Sequence, residues 1–379
     1  MSCLTSRERM KMSLNHIEPD KFPIDFGNLH SSLHINAHKN LMKFFGLKEA
    51  KAKIQDIFQQ IVFPDPRIIE KFQTDVVGVF SKPSSSWKLF IDPVKDEYID
   101  EWGTTYIRPK EGYFYDIKIP IMKNFTLEDL KNYKMPDPID EARFKGLRKE
   151  ILDLINNSSK AIILYSPVWG LWESLWQLRG FEQAYIDIAS NKDFINYYWD
   201  NMLWWSISFW EEILKEVGDL VDVVGISDDL GTQRGPMFNP EFYRSMLKPR
   251  HKKLVNTIKS NTNAKVYIHS CGSVAWAIKD FIECGIDILN PVQVKASDMD
   301  SKKLKKEFGK DIVFWGGGCD PEVLLRGTKK EIKEEVKRRI NDLSPNGGFV
   351  FASVHNIQSN TPPEKIATMF QAAIDLRNH

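Results

Sequence analysis

The sequence has almost no net charge and few cysteines. Its 379 residues include 52 Lys and Arg against 51 Asp and Glu, which gives a formal net charge of +1. This balance provides no electrostatic basis for binding a nucleic acid or a membrane surface. Four cysteines are too few for a disulfide framework in a chain of this length. We therefore expect reduced thiols that are available for metal binding or chemistry.

Long apolar runs, internal repeats and low-complexity segments are also missing. No stretch reaches the roughly 18 uninterrupted apolar residues that a membrane span needs. The first ten residues are polar and charged, without the apolar region of a secretory signal. With 42% hydrophobic and 27% charged residues, the composition is typical of a globular protein with a large core. We expect a cytoplasmic protein without nucleic-acid or membrane partners; its oligomeric state stays open, with a homodimer as one option.

Short β-branched or aromatic runs alternate with amphipathic stretches from residue 161 onward. The runs span 161–166, 221–227, 265–269, 287–292, 311–315 and 348–354, and the patterns between them predict helices over 193–217, 240–260, 274–284, 299–308 and 328–343. Continuous apolar runs are typical of parallel strands that are covered on both faces. The alternation therefore predicts an α/β fold, either a βα barrel or a doubly wound sheet.

The first 160 residues are less regular. They contain one predicted strand at 75–80, an aromatic-rich segment near 87–120 that we interpret as an inserted hairpin or loop, and a predicted helix over 141–156. No composition shift marks a linker, so we expect residues 1–379 to form a single domain.

Polar side chains, glycines and potential metal ligands follow five of the predicted strands. These residues are Asp228 and Asp229, His269 and Cys271, Asn290 and Gln293, the segment 316–320 with Cys319, and His355 with Asn356. In a parallel βα barrel the carboxyl ends of the strands share one rim, which holds the active site. In a doubly wound sheet the same residues would spread along an edge. Their convergence favours a single (β/α)8 TIM barrel with an N-terminal extension and the aromatic-rich insertion.

His269 and Cys271 are candidate ligands of one metal ion. They are separated by one residue, so at an extended strand end their side chains point to the same side. Zinc favours Cys sulfur and His nitrogen, and a catalytic zinc takes three protein ligands and keeps one open position. Cys319 and His355, each at the end of its own strand, are the two alternatives for the third ligand.

Simpler interpretations exist for each of these residues. A lone Cys271 is often a small buried apolar residue, and Asp228 with Asp229 can cap a helix. Most tryptophans at helical spacing belong to a core. Trp169 and Trp172 differ because they directly follow a strand end, where they can line the mouth of a pocket for a flat apolar substrate.

Several stretches resemble the uroporphyrinogen decarboxylase superfamily. They are 8–27, Asp228-Asp-Leu-Gly-Thr-Gln, Ile268-His-Ser-Cys-Gly-Ser, Asp287-Ile-Leu-Asn-Pro-Val-Gln, Phe314-Trp-Gly-Gly-Gly and Val354-His-Asn-Ile-Gln. The resemblance covers nearly the whole chain and is strongest after residue 221. It implies a single (β/α)8 barrel with its site in the C-terminal cleft. The superfamily contains true decarboxylases and zinc-dependent methyltransferases that work with corrinoid proteins.

The residues of this chain are more similar to the methyltransferase branch. True decarboxylases carry an Arg-rich segment of the type R-Q-A-G-R-Y, whose arginines meet the acidic side chains of the porphyrinogen; here the corresponding region is Phe22-Pro-Ile-Asp-Phe-Gly. The methyltransferase zinc motif is H-x-C followed later by a Cys, and His269-Ser-Cys271 matches its first half. His355 aligns with the late Cys of the methanol-type enzymes, so either His355 or Cys319 completes the set.

The resemblance implies a reaction in which zinc activates one partner of a methyl transfer to or from the cobalt of a corrinoid protein. In that reaction Asp228 or Asp229 would handle the proton. The substrate-binding candidates are Trp169, Trp172, Asn290, Gln293, Trp315 and Asn356. The aromatic walls favour a small methylated substrate such as a methoxylated aromatic compound. The alternatives are a metal-free, decarboxylase-like lyase and a non-catalytic barrel that binds a tetrapyrrole or corrinoid.

Overall fold

The computed structural model describes residues 4–48 and 51–377, so Cys3 lies outside the described part of the chain. The N-terminal region contains, in order, α1 (Ser6–Leu14), β1 (Leu33–His34), α2 (Ile35–Phe44), β2 (Lys53–Asp56), β3 (Ile61–Phe63), α3 (Pro66–Lys71) and β4 (Val76–Phe80). Strands β1, β3 and β2 form a small antiparallel sheet, whereas β4 is the first strand of the main sheet.

The inserted segment near 87–120 is a sheet of its own. It consists of β5 (Ile91–Asp92), β6 (Glu97–Ile99), β7 (Thr105–Ile107) and β8 (Asp116–Ile119), which pair antiparallel in sequence order. Three buried tyrosines, Tyr98, Tyr106 and Tyr115, pack together on one face, with the rings of Tyr98 and Tyr106 stacked at 4.9 Å. Strands of two to four residues are too short to show a sequence period, so the pattern predicted only a hairpin or a loop.

The rest of the chain alternates helices and strands. The elements are α4 (Leu127–Asn132), α5 (Leu147–Asn157), β9 (Ala161–Tyr165), α6 (Leu171–Arg179), α7 (Phe181–Ser190), α8 (Lys192–Val217), β10 (Val223–Ser227), α9 (Pro240–Phe242), α10 (Lys248–Asn261), β11 (Lys265–His269), α11 (Ile278–Glu283), β12 (Ile288–Asn290), α12 (Ser301–Phe308), β13 (Val313–Trp315), α13 (Pro321–Arg326), α14 (Lys329–Leu343), β14 (Phe349–Val350) and α15 (Pro363–Arg377). None of the helices in the described part of the chain combines the length and apolar character needed to cross a membrane.

The helix predicted over 141–156 begins later than expected. A short 3-10 turn covers Glu141–Arg143, and α5 starts only at Leu147. Between them Gly146 adopts φ +81°. A residue in the left-handed region cannot continue a right-handed helix, so the pattern is split in two.

The main sheet is parallel and curls into a barrel. Its seven strands follow the order β14-β13-β12-β11-β10-β9-β4. The extended segment around Ile24 lies between the two edges: it makes a parallel bridge to Phe351 after β14, and its carbonyl accepts a hydrogen bond from Asp75 before β4 at 2.8 Å. This segment fills the eighth position. The predicted α/β TIM-barrel fold is confirmed.

The barrel interior is a packed core that is closed at its base. Alternate residues of the strands point inward, including Ile163, Tyr165, Val223, Tyr267, Ile288, Val313 and Trp315. Met10 and Leu14 of α1 join this cluster from the N-terminal end of the strands. At the opposite end, the carboxyl ends of the strands carry several polar inward side chains.

Candidate metal centre and active site

Three neighbouring strands place polar side chains in one inward layer at the barrel mouth. Ser227 at the end of β10 is in register with His269 at the end of β11, and His269 is in register with Asn290 at the end of β12. Paired residues of parallel strands project to the same face. These three side chains therefore lie side by side above the apolar interior.

Asn290 determines which nitrogen of His269 is free. Its Nδ2 donates to the carbonyl of Trp315 at 2.9 Å, which turns its Oδ1 toward Nδ1 of His269 at 2.6 Å. Nδ1 then carries the proton, and the lone pair of Nε2 faces the Sγ of Cys271 at 3.3 Å. Burial lowers the pKa of His269 to about 4, so this ring is neutral at physiological pH.

His269, Cys271 and His355 converge as potential metal ligands. One ligand atom from each lies within 4.8 Å of the others. Burial and the nearby His269 lower the pKa of His355 to about 4, which leaves a second neutral imidazole. Burial, followed by the nearby Asp229 and Glu173, raises the pKa of the Cys271 thiol well above its usual value. Two neutral imidazoles and a thiol that a cation can deprotonate fit a zinc ion with one open position.

The Cys271 loop is held tightly against its neighbours. Gly272 adopts φ +87°, and a Cβ at this position would lie 2.4 Å from the backbone of Gly231. The amide of Cys271 donates to Oδ1 of Asp229 at 2.7 Å, and the amide of Gly272 donates to Oε1 of Gln293 at 2.6 Å. These contacts fix the thiol relative to His269.

Cys319, the alternative third ligand, lies apart from this group. It is buried in the main apolar core between the barrel and its helices, and its Sγ contacts the carbonyl of Asp320 at 3.6 Å. Gly316 and Gly317 both have positive φ directly after β13, and this turn carries the chain away from the mouth. Among the two alternatives, the structure brings His355 to His269 and Cys271.

The two consecutive aspartates have different surroundings. Asp228 is fully buried and accepts hydrogen bonds from the amides of Trp172 and Glu173 at the start of α6 and from Nε2 of His251 at 2.9 Å. Asp229 is partly exposed, and its Oδ1 accepts the amide of Cys271. Asp228 therefore holds the loop and the helix together, whereas Asp229 binds the loop that carries the candidate ligand Cys271.

Comparisons with known proteins identify the family of this chain. A family model described as Uroporphyrinogen decarboxylase (URO-D) matches residues 113–376. The chain belongs to the uroporphyrinogen decarboxylase family. It is 22% identical over 271 residues to a uroporphyrinogen decarboxylase from Ruthia magnifica subsp. Calyptogena magnifica, covering 68% of this chain and 73% of that protein. The family predicted from the sequence motifs is confirmed.

A solved structure of a methyltransferase from Methanosarcina mazei has the same fold. The two structures align with a TM-score of 0.68 over 98% of this chain and 99% of that chain, at 18% sequence identity. At this identity the likeness shows the shared fold. It includes the N-terminal region that lies before the family match.

In this member of the URO-D family, the N-terminal segment supplies residues that sequence patterns missed. The ring of His30 stacks on that of His269 with centroids 3.8 Å apart, and its Nδ1 lies 3.1 Å from the hydroxyl of Tyr267. Asp25 is buried in the barrel, where its Oδ2 accepts the indole N–H of Trp315 at 2.8 Å. Burial raises the pKa of Asp25 to about 6. A non-periodic segment has no signal that predicts such insertion; only the resemblance of residues 8–27 to the family covered part of this region, and it marked neither Asp25 nor His30.

Glu173 is the other residue that sequence reasoning missed. It lies in the first turn of α6, and its Oε2 accepts a hydrogen bond from the inward hydroxyl of Ser227 at 2.7 Å. Gly170 permits this close approach, because a Cβ there would lie 2.1 Å from the carbonyl of Ser227. The sequence offered one indication of its role: Glu173 lies shortly after the end of β9, in the segment where Trp169 was already predicted to line the pocket mouth.

The predicted substrate-binding residues fall into several environments. Trp169 is half-buried, whereas the ring of Trp172 is fully buried against Phe238 and Tyr185. Trp315 lies in the barrel interior. The side chain of Asn356 binds the N-terminal segment, accepting the amide of Ser32 and donating to the carbonyl of Leu29, each at 2.9 Å. Their contact with a substrate stays a prediction.

Proposed function

We propose that this protein is a zinc-dependent methyltransferase that moves a methyl group between a small methylated substrate and the cobalt of a corrinoid protein. The observation that carries the proposal is the convergence of His269, Cys271 and His355 at the barrel mouth. Two imidazoles and one thiolate supply the nitrogen and sulfur donors that zinc favours, and three protein ligands leave one position for a reactant. The shared fold with a methyltransferase is consistent with this reaction.

The side chains around the ligands have separable tasks. A bound zinc would supply Lewis acidity, which keeps an oxygen or sulfur reactant deprotonated at neutral pH. Asn290 orients the ring of His269, as outer-shell partners of metal ligands commonly do. Asp229 holds the Cys271 loop through one oxygen and is the candidate that exchanges a proton with the reactant.

The substrate proposed from the aromatic residues is a methoxylated aromatic compound. Trp169 is half-buried and lies just before α6 in the sequence. Glu173 and Trp172, whose amide donates to Asp228, follow it in the first turn of that helix. An aromatic ring stacks well on a rigid indole face. The corrinoid belongs to a partner protein, which must approach the mouth so that its cobalt reaches the methyl group.

The zinc content of the purified protein tests the proposal. We expect about one zinc per chain after reconstitution, with loss of zinc in Cys271→Ala and His355→Ala. Cys319→Ala is the matched control, because it removes a buried thiol outside the group, and it should retain the metal. Methyl transfer from a methoxylated aromatic compound to cob(I)alamin, followed by its absorbance, should disappear in the same two variants.

A different result would favour the decarboxylase alternative. That alternative has its own observation, which is the similarity to a curated uroporphyrinogen decarboxylase. A chain that stays metal-free after reconstitution, yet releases carbon dioxide from a porphyrinogen, would contradict the methyltransferase proposal. Retention of zinc in Cys271→Ala would contradict the ligand set.

A further inference from the structure

One segment of the N-terminal region contacts both strand ends that carry the imidazoles of the candidate metal centre. It comprises residues 28–34, which are buried except for the half-buried Leu29. Residues 25–32 belong to no helix or strand, so no regular ladder of backbone hydrogen bonds fixes them. Their position depends on contacts with the barrel. Two sets of contacts hold the 28–34 segment, one at the end of β11 and one after β14.

At the end of β11 the contact is a stack of aromatic rings. The imidazole of His30 lies almost parallel to that of His269, with ring centroids 3.8 Å apart and planes inclined by 15°. Nδ1 of His30 lies 3.1 Å from the hydroxyl of Tyr267, the preceding inward residue of the same strand, and the planes of these two rings differ by 6°. The hydrogen bond sets the plane of the His30 ring, and the stacked ring limits how far His269 can tilt.

After β14 the contacts are hydrogen bonds to the two residues that follow His355. The side chain of Asn356 accepts the amide of Ser32 at 2.9 Å. Ile357 donates its amide to the carbonyl of Ser32, and its carbonyl accepts the amide of His34, each at 2.9 Å. These bonds form a short parallel bridge between the two segments. The same stretch of chain therefore supports both candidate imidazole ligands.

A metal ion makes the relative position of these two strand ends important. The rings of His269 and His355 lie 5.6 Å apart between centroids, although β12 and β13 separate the strands that carry them. Zinc–nitrogen bonds are about 2.0–2.1 Å long, and a site has to match such lengths within about 0.2 Å. Because the 28–34 segment contacts both strand ends across the mouth, it restricts the movement of one ring relative to the other.

We propose that His30 is a positioning residue of the metal centre, and that docking of the 28–34 segment and metal binding stabilise each other. The three ligands, His269, Cys271 and His355, are those of the proposed function, on which this inference rests. Coupling between two equilibria is reciprocal: if the docked segment raises the affinity for the metal, the metal stabilises the docked segment by the same factor. Metal binding therefore makes the N-terminal side of the barrel mouth harder to open.

The affinity for zinc tests the role of His30. Competition with a chromophoric chelator measures the dissociation constant of the full-length protein, and the absorption of bound cobalt(II) reports the geometry of the ligands. His30→Ala removes the stacked ring, so the zinc affinity should fall by about tenfold or more and the cobalt spectrum should change. His30→Phe keeps a planar ring that can stack on His269, so it should recover most of the affinity and the wild-type spectrum.

His38→Ala is the matched control. His38 is also a buried histidine, but it lies on α2, and its Nε2 accepts the amide of Asp65 at 3.1 Å. Urea denaturation measures the stability of each variant, which separates a loss of stability from a loss of metal affinity. We expect His38→Ala to lose stability but to keep the zinc affinity and the cobalt spectrum of the wild type.

Hydrogen exchange tests the reciprocal effect. The amide exchange of peptides that cover 28–34 is followed by mass spectrometry in the full-length protein with and without zinc. We expect zinc to slow exchange in these peptides by about tenfold or more, and by a larger factor than in peptides from α14. Cys271→Ala keeps the stacked rings but lacks the thiol ligand, so zinc should not change its exchange.

The outcomes distinguish this inference from the proposed function. Unchanged zinc affinity in His30→Ala, or exchange of 28–34 that is the same with and without zinc, would overturn the inference while the metal site stands. A wild-type chain that binds neither zinc nor cobalt would contradict both. Metal binding with the expected coupling, but without methyl transfer, would support the inference and contradict the proposed function. If His30→Ala fails to fold, the exchange comparison between wild type and Cys271→Ala decides.

Discussion

The two ends of the barrel treat buried charge in opposite ways. At the base, Asp75 binds Arg9 at 2.9 Å, also pairs with Arg377, and accepts the amide of Ile24, so every charge has a partner. At the mouth, His269 and Glu173 are buried and no ion pair within residues 4–48 and 51–377 neutralises them, while His355 is partly exposed near Asp229. The base stabilises the closure of the barrel, whereas the mouth keeps neutral imidazoles that are available to a ligand.

The largest expected effect concerns the base. Asp75→Ala would leave the buried guanidinium of Arg377 without its carboxylate, take one of two carboxylate partners from Arg9 and remove the acceptor of Ile24, so we expect a loss of about 3–5 kcal/mol in the free energy of unfolding. Urea denaturation measures it. The control is Asp219→Ala, which breaks an exposed pair with Arg148 and should cost less than about 1 kcal/mol. If the two variants lost the same free energy of unfolding, the buried ion pairs at the base would stabilise the protein no more than an exposed pair does.

The next effect is the pH dependence of the zinc-free protein. Burial holds the pKa values of His269 and His355 near 4, below the unfolded value of 6.5. Between pH 6.5 and 4 the unfolded chain therefore binds protons that the folded rings do not. Each ring therefore lowers the free energy of unfolding as the pH falls through this window, by about 2–3 kcal/mol, whereas Asp25, with its pKa raised to about 6, contributes in the opposite direction.

Chelator-treated protein, unfolded by urea at several pH values, measures this slope. His355→Gln should make the fall with decreasing pH shallower than in wild type, because one of the imidazoles whose pKa is lowered by burial is then absent. A slope that is the same in wild type and His355→Gln would show that the mouth is hydrated and not desolvated.

A smaller effect, on zinc affinity, is expected from Asn290, the hydrogen-bond partner of the proposed zinc ligand His269. Asn290→Ala removes the acceptor that fixes the ring and tautomer of His269, so zinc affinity should fall by about 10–100-fold. Competition with a chromophoric chelator measures it. Asn256→Ala, at an exposed position on α10, is the matched control. An unchanged affinity would mean that packing against His30 suffices to orient the ring.

The smallest effect is expected for Cys319, which lies outside the group formed by His269, Cys271 and His355. Cys319→Ala should keep its zinc and lose only about 1 kcal/mol of stability, because it removes one buried thiol from the main core. Metal analysis together with urea denaturation measures both quantities. Loss of zinc in this variant would indicate that Cys319, and not His355, is the third zinc ligand.

Much of the barrel could be predicted from the sequence. The runs at 161–166 and 265–269 have apolar centres because both faces of β9 and β11 are buried. Helix α8 was predicted to within one residue of its start because its amphipathic pattern extends over many turns. Polar residues after each strand indicated the rim. The segment at Ile24, which closes the barrel through one bridge, has no such pattern.

The sequence by itself determined the family, the strand and helix order, and the concentration of His, Cys and Asp side chains at one rim. Those properties depend on local hydrophobic periods and on motifs that lie within a few residues. Only the tertiary structure decided that His355 and not Cys319 meets His269, and that His30 and Glu173 enter the mouth. Such choices depend on turns at glycines with positive φ and on contacts between segments far apart in the chain, which no local pattern records.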